Sequence, residues 1–277
     1  MQKNRIFRDT DIVEFCQTTK DINEIHDPVF MSGIGKRVIV PGMYAFSCAA
    51  NLSADFLKTK ATCIKVFFNS LLSSGDFATL QAVPGEQEME EVKLAAISHK
   101  NTLTSREDYT RICKGIEPFT LQTEGLVHSL EVTATQLISF KHLIEATEDL
   151  VSNFLFAVSY ASQALYKSIE QPQTEVEHEI HLLISKGSKI SPFYHTLQIH
   201  IPPVFPSIKP GLKLDYRIQF IREKKNRAYH AFLQCEQEGQ VVYNSKYNLV
   251  AISDVVILRM AKEIHLTRQD KTFSPSR

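Results

Sequence analysis

Neither sign of charge is in excess: 31 Lys and Arg stand against 31 Asp and Glu, so the net charge is zero with neutral histidines. That balance offers no basic field to a polyanion, and no nucleic-acid partner is expected. Cysteine is scarce and unpatterned. The five residues Cys16, Cys48, Cys63, Cys113 and Cys235 are odd in number and contain no CxxC pair. Neither a zinc knuckle nor a disulfide framework is suggested, and reduced thiols in a cytoplasm are expected. Long apolar runs are missing as well. The most apolar helical stretch, 154–166, is interrupted by Ser159, Ser162 and Gln163, whereas a bilayer span needs about 20 apolar residues. The opening residues Met1-Gln2-Lys3-Asn4-Arg5 are polar and lack the apolar heart of a signal peptide. A cytoplasmic protein is therefore expected. No phosphate loop is present, because Gly33-Ile34-Gly35-Lys36 lacks the GxxxxGK[ST] spacing.

What is present is a globular chain of 277 residues, 43% hydrophobic and 22% charged, with room for one large domain or two ordinary ones. Residues 11–19 read as a short amphipathic helix carrying Ile12, Val13, Phe15 and Cys16. Residues 42–57 read as a helix of small side chains. From Cys63 the period shortens, and 63–68, 77–83, 92–99 and 109–113 read as strands separated by turns. The order then repeats. A short helix at 140–146 and a long one at 149–169 precede expected strands at 176–184, 194–201, 212–220, 227–236 and 241–251. Two copies of helix, longer helix and antiparallel strands predict an internal duplication. The expected organisation is an N-terminal unit at 1–116, a linker at 117–131, a C-terminal unit at 132–265 and a flexible tail at 266–277.

Chemistry concentrates in Lys20-Asp21-Ile22-Asn23-Glu24-Ile25-His26 and, sixteen residues after His26, in Gly42. An acid, an amide and an imidazole stand on one short loop. Pro41-Gly42-Met43 then opens the small-residue helix, whose first N–H groups can meet an oxyanion. An Asp/His pair can hold a water and move its proton. Asp21, Asn23 and Asp27 do not make a calcium loop, because His26 stands where the sharp turn needs glycine. Cys48, on a buried small-residue helix, reads as packing rather than as a nucleophile. His178, His181, His195 and His200 fall on expected strands, and strand position alone does not show the convergence that a metal site needs.

Asp-x-Asn-x-x-His followed by Gly-Met before a small-residue helix resembles the MaoC-like (R)-specific enoyl-CoA hydratases and 3-hydroxyacyl dehydratases. The motif resemblance covers roughly residues 12–57, and the remainder follows the family only in its order of elements. It implies an α+β double hotdog, two antiparallel sheets joined and each wrapped around a central helix. It implies Asp21 and His26 as the catalytic pair, with Asn23 and Gly42 on the substrate side. It implies no metal or cofactor, an acyl thioester of CoA or acyl carrier protein as substrate, and a homodimer among the allowed assemblies. Three positions depart from the family pattern: Lys20 replaces a glycine, Glu24 a proline and Pro41 a histidine. The second copy lacks the motif, so one half is expected to keep chemistry and the other shape. Phe154, Phe156, Tyr160 and Leu165 of the long helix are expected either to line an acyl tunnel or to plug it, and medium or long acyl chains are expected to be preferred over crotonyl. Two rival functions share the fold. One is a thioesterase using a carboxylate on the central helix, for which Asp55 is the nearest acid. The other is a non-catalytic acyl-binding protein.

Overall fold

The computed structural model describes residues 2–59, 61, 63–68, 71–84, 89–96, 126–185, 190–223 and 228–263. The first half runs β1 (Gln2–Ile6), α1 (Asp9–Thr19), a 3-10 turn (Glu24–His26), α2 (Pro28–Gly33) and α3 (Gly42–Ala50). A second 3-10 turn (Asn51–Ser53), α4 (Ala54–Thr59), β2 (Cys63–Phe67), β3 (Phe77–Pro84) and β4 (Met89–Ala96) follow. The second half runs β5 (Leu126–Glu131), α5 (Ala134–Leu143), α6 (Asp149–Glu170), α7 (Glu175–Ser185), β6 (Ile190–His200), β7 (Lys213–Arg222), β8 (Ala228–Gln237), β9 (Gln240–Ser253) and α8 (Asp254–Met260).

The nine strands among the described residues share one sheet in the order β1-β3-β4-β2-β6-β9-β8-β7-β5. The half from β5 to β6 carries the spatial order first, third, fourth, fifth, second. The other half shows first, third, fourth, second. There β4 lies directly against β2, and that pair is parallel, with Cys63 opposite Met89. Every other neighbouring pair is antiparallel. The halves join where β2 pairs with β6, from Cys63↔His200 to Phe67↔Thr196. The chain is thus a double hotdog. The strand expected at 109–113 and the tail at 266–277 lie outside the described residues.

Alternation decides which sheet face is covered. Leu214, Tyr216, Ile218 and Phe220 of β7 are buried and their neighbours are not, the period of two that a half-covered sheet requires. Against that face lie α3, buried from Met43 to Ala50, and α6, whose small residues let backbones approach. The two helices touch at Ser47 Oγ and Ser159 Oγ, 2.9 Å apart. Tyr216 and Tyr243 donate their hydroxyls to Ala157 O at 2.8 and 3.3 Å, so phenols too deep for water still find an acceptor.

Three expectations are corrected. Residues 176–184 are not a strand but most of α7, a helix opened by a reciprocal cap. Thr174 Oγ1 accepts from Glu177 N at 3.2 Å, and Glu177 Oε2 accepts from Thr174 N at 3.0 Å. The stretch at 117–131 contains β5, which pairs with β7 from Leu126↔Ile218 to Glu131↔Lys213. The short helix expected at 140–146 occupies Ala134–Leu143, because Thr133 and Gln136 form a capping box. The strand β1 has no counterpart in the sequence reading.

Candidate functional site

The loop is built by the way α1 ends. Lys20 adopts φ 57°, ψ 33°, the left-handed conformation that closes many helices. Asp21 N then donates back to Cys16 O at 3.0 Å, the long bond of a Schellman closure. The reversal turns the chain sharply enough to place Asp21 inward, with its side chain 17% exposed. A side chain in this conformation is strained, and glycine would hold it more easily than Lys20 does. Asp21 Oδ1 accepts from Asn23 N at 3.2 Å, and Asn23 Oδ1 accepts from Ile25 N at 3.3 Å. Two successive Asx-type turns therefore carry the chain into the 3-10 turn ending at His26.

His26 is buried. Its Nδ1 donates to Ile39 O at 2.6 Å, which leaves Nε2 of the neutral ring as an acceptor. That Nε2 lies 3.9 Å from Asp21 Oδ2. The segment holding Ile39 is pinned on both sides: Ile39 N donates to Ile25 O at 3.0 Å and Val40 N to Leu72 O at 2.8 Å. Three residues beyond Ile39, Gly42 begins α3. Pro41 precedes it, and the Pro41 carbonyl accepts from Tyr44 N and Ala45 N. Among the described residues the Gly42 N–H has no acceptor. A Cβ at Gly42 would stand 2.8 Å from Phe68 Cε1 and 2.9 Å from Cδ1, so this helix start tolerates only glycine without displacement.

The structure therefore brings Asp21 and His26 together, uses Asn23 as a backbone brace, and ties Gly42 to the same frame through Ile39. The Ile39 carbonyl was invisible to sequence reasoning, because any residue there supplies the same oxygen. A second brace holds the connection between the loop and α3. Asp76 accepts from Arg37 Nη2 at 2.5 Å, from Lys262 Nζ at 2.6 Å and from Ser73 N at 3.2 Å. Burial raises the Asp76 pKa, but the donors from Lys262 and Arg37 outweigh it and hold the carboxyl below its usual range. Lys36 is likewise paired, with Glu263 at 3.1 Å.

Other sequence candidates fall away from this centre. Asp55 is 91% exposed and faces Lys58 at 3.5 Å, so it does not serve a thioesterase. Cys48 is buried, and burial pushes its thiol up to about 12, which leaves it inert at neutral pH. His178 and His181 stand one turn apart on α7, with ring centroids separated by 6.4 Å, and not on a strand. Among the described residues no group of three or more His, Cys, Asp or Glu is placed to hold a metal ion. Among the same residues no helix is long and apolar enough to cross a membrane.

Comparison with known proteins agrees with the topology. No family profile matches the chain, and no curated protein matches it by sequence. Solved structures do match in fold. A MaoC domain protein dehydratase from Chloroflexus aurantiacus aligns at TM-score 0.53 and 9% identity, covering 91% of this chain and 94% of that one. A MaoC-like dehydratase from Phytophthora capsici aligns at TM-score 0.50 and 10% identity, covering 91% and 96%. The full-length peroxisomal multifunctional enzyme type 2 of Drosophila melanogaster aligns at TM-score 0.50 and 8% identity, covering 90% of this chain and 48% of that one.

Proposed function

On this shared fold of MaoC-like dehydratases, we propose that the chain interconverts 2-enoyl and (R)-3-hydroxyacyl thioesters of CoA or acyl carrier protein. The observation that carries the reading is the pair of acceptors, Asp21 Oδ2 and His26 Nε2, 3.9 Å apart on one loop. A water donating to both through hydrogen bonds of about 2.8 Å would subtend roughly 90°, close to its own bond angle. The site thus fits one water gripped by both of its protons.

In the hydration direction the water oxygen bonds to Cβ of the enoyl group as one O–H bond breaks. His26 Nε2 takes the proton, its ring orientation fixed by Ile39 O. The imidazolium then faces the Asp21 carboxylate, which balances its charge. The pair returns a proton to Cα, and dehydration is the same path reversed. Between these events the thioester oxygen carries enolate charge. Gly42 N–H, unpaired at the start of α3 and aided by the positive end of that helix, stabilises it. None of these steps calls on a metal or a redox group.

The aromatic packing on α6 favours short acyl chains. Phe156 lies 5.5 Å from Phe140 and 5.0 Å from Tyr160 between ring centroids, and Phe154 lies 5.0 Å from Phe205. Together with buried Leu165, this packing supports short acyl chains over the medium or long ones expected from the sequence. The test is loss of the enoyl absorbance of crotonyl-CoA with the purified chain, run beside a six- to ten-carbon series. Turnover of crotonyl-CoA that falls along the series is expected. Thiol release from saturated butyryl-CoA without any hydration would replace this reading with a thioesterase.

A further inference from the structure

The site described so far is built from the first half alone, but the α3–α6 pair brings one residue from the second half to the same place. The two helices run antiparallel. Asn51, just past the end of α3, donates to Ile144 O ahead of α6 at 3.3 Å, and Ser47 meets Ser159 at 2.9 Å. Four residues back from Ser47 is Met43, next to Gly42. Four residues on from Ser159 is Gln163. Each step covers about 6 Å of helix axis, so Gln163 lies level with the N-terminus of α3. Steps of 100° also place residues 159, 163, 166 and 170 within an arc of about 60° on α6. Farther along that face, burial and then Glu170 raise the Tyr166 phenol, with a smaller contribution from Glu24 of the catalytic loop. Gln163 therefore stands between the helix contact and the catalytic loop.

Its amide oxygen is idle there. Oε1 is buried without a hydrogen-bond partner, although buried amides are nearly always satisfied. A half-turn of the last torsion exchanges the oxygen and nitrogen ends of such an amide, so either can be presented. We propose that Gln163 is a substrate-binding residue whose amide N–H donates to the thioester carbonyl oxygen alongside the Gly42 N–H. The assignment rests on the acyl-thioester reading given under Proposed function. It makes the second half a contributor to the site and not only its scaffold.

The test uses the full chain and butyryl-CoA labelled with ¹³C at the thioester carbonyl. The labelled carbonyl stretch is measured by infrared difference in the bound state, with Kd by calorimetry. Gln163→Met keeps the volume and removes the amide. The expected result is a carbonyl stretch at higher frequency than in the wild type and a Kd weaker by roughly five- to tenfold. With crotonyl-CoA, kcat should fall more than KM rises. The melting temperature should hold or rise, because an unsatisfied buried amide oxygen is gone. Gln163→Glu, which also lacks the donor, gives the same sign should the methionine variant fail to fold. A bound carbonyl stretch and Kd indistinguishable from wild type overturn the assignment. A wild type that binds no acyl-CoA fails earlier and differently, overturning the proposed function and this assignment with it.

Discussion

Gly42→Ala asks how closely the start of α3 must approach its neighbour. The added carbon would meet two atoms of one Phe68 ring edge at 2.8 and 2.9 Å, where carbon pairs settle at about 3.5–4.0 Å. Two adjacent ring atoms are involved, so a small rotation of the ring does not clear both. Phe68 is only 7% exposed, and its ring has little room to retreat. Relief needs a shift of about 0.7 Å, shared between the ring and the helix start. Overpacking of this kind costs about 1–3 kcal/mol, or about 2–12 °C in melting temperature for a chain of this size. If the helix moves, the Gly42 N–H leaves the line of the thioester oxygen, and misplacement near 1 Å can cost about 10²-fold in rate. Phe68→Leu removes the ring edge, so in the double variant the clash should disappear. The assay is a double-mutant cycle on thermal unfolding and on crotonyl-CoA turnover, with a coupling of at least about 1 kcal/mol expected. A single Gly42→Ala variant with wild-type melting and turnover would refute the reasoning. So would a double variant no better than Gly42→Ala alone.

Asp21→Asn and His26→Ala should each lower hydration by roughly 10²-fold or more. Only the histidine change should lower stability, by about 1–2 kcal/mol, because it strands the buried Ile39 carbonyl. Unfolding in urea separates the two effects, and equal destabilisation by both would contradict the Asx-turn account of Asp21. Lys20→Gly should stabilise by about 0.5–1 kcal/mol relative to Lys20→Ala, since both remove the charge and only glycine relieves the left-handed strain. Identical urea midpoints would argue against that strain. Asp76→Asn should cost about 2 kcal/mol at neutral pH. The wild-type carboxyl titrates below its unfolded value, so its contribution is full above the unfolded pKa and is lost as pH falls through the folded one. The gap between wild type and variant should therefore close below about pH 4, and a gap unchanged down to pH 2 would sink the assignment.

The parts of the site that depend on local spacing were legible in the sequence. Asp21, Asn23 and His26 of the candidate site lie within six residues, and Asp21 and Asn23 form the turns that lead to His26, so the letters carry the geometry. Gly42 was legible as the opening of a small-residue helix, whereas the Phe68 ring edge that leaves no room for a side chain there was not. What could not be read was made by partners distant in the chain. The Ile39 carbonyl leaves no mark in the letters. Nor do the letters show that Arg37 pairs with Asp76, 39 residues on, or Lys36 with Glu263, 227 residues on. The strand β1 carries Gln2, Lys3, Asn4 and Arg5 and is exposed along most of its length, so an edge strand of this composition has no apolar alternation to betray it. Segment 176–184 did alternate, with Val176, His178 and Ile180 two apart. There the competing signal was present and stronger: Thr174 and Glu177 form the three-residue spacing of a helix start, and the cap prevailed over the period of two.

The joint between β2 and β6 has a consequence for how the chain is made. Cys63 and His200 are register partners, yet 137 residues of synthesis separate them. At roughly 5–20 residues per second, β2 emerges some 7–27 seconds before its partner on that side. Through that interval the nascent first half presents Ile64 and Val66 along an open strand edge, a template for pairing with another chain. Assembly therefore proceeds under a time constraint set by sequence separation. A chaperone that shields this edge should raise the soluble yield more than any change at the finished surface.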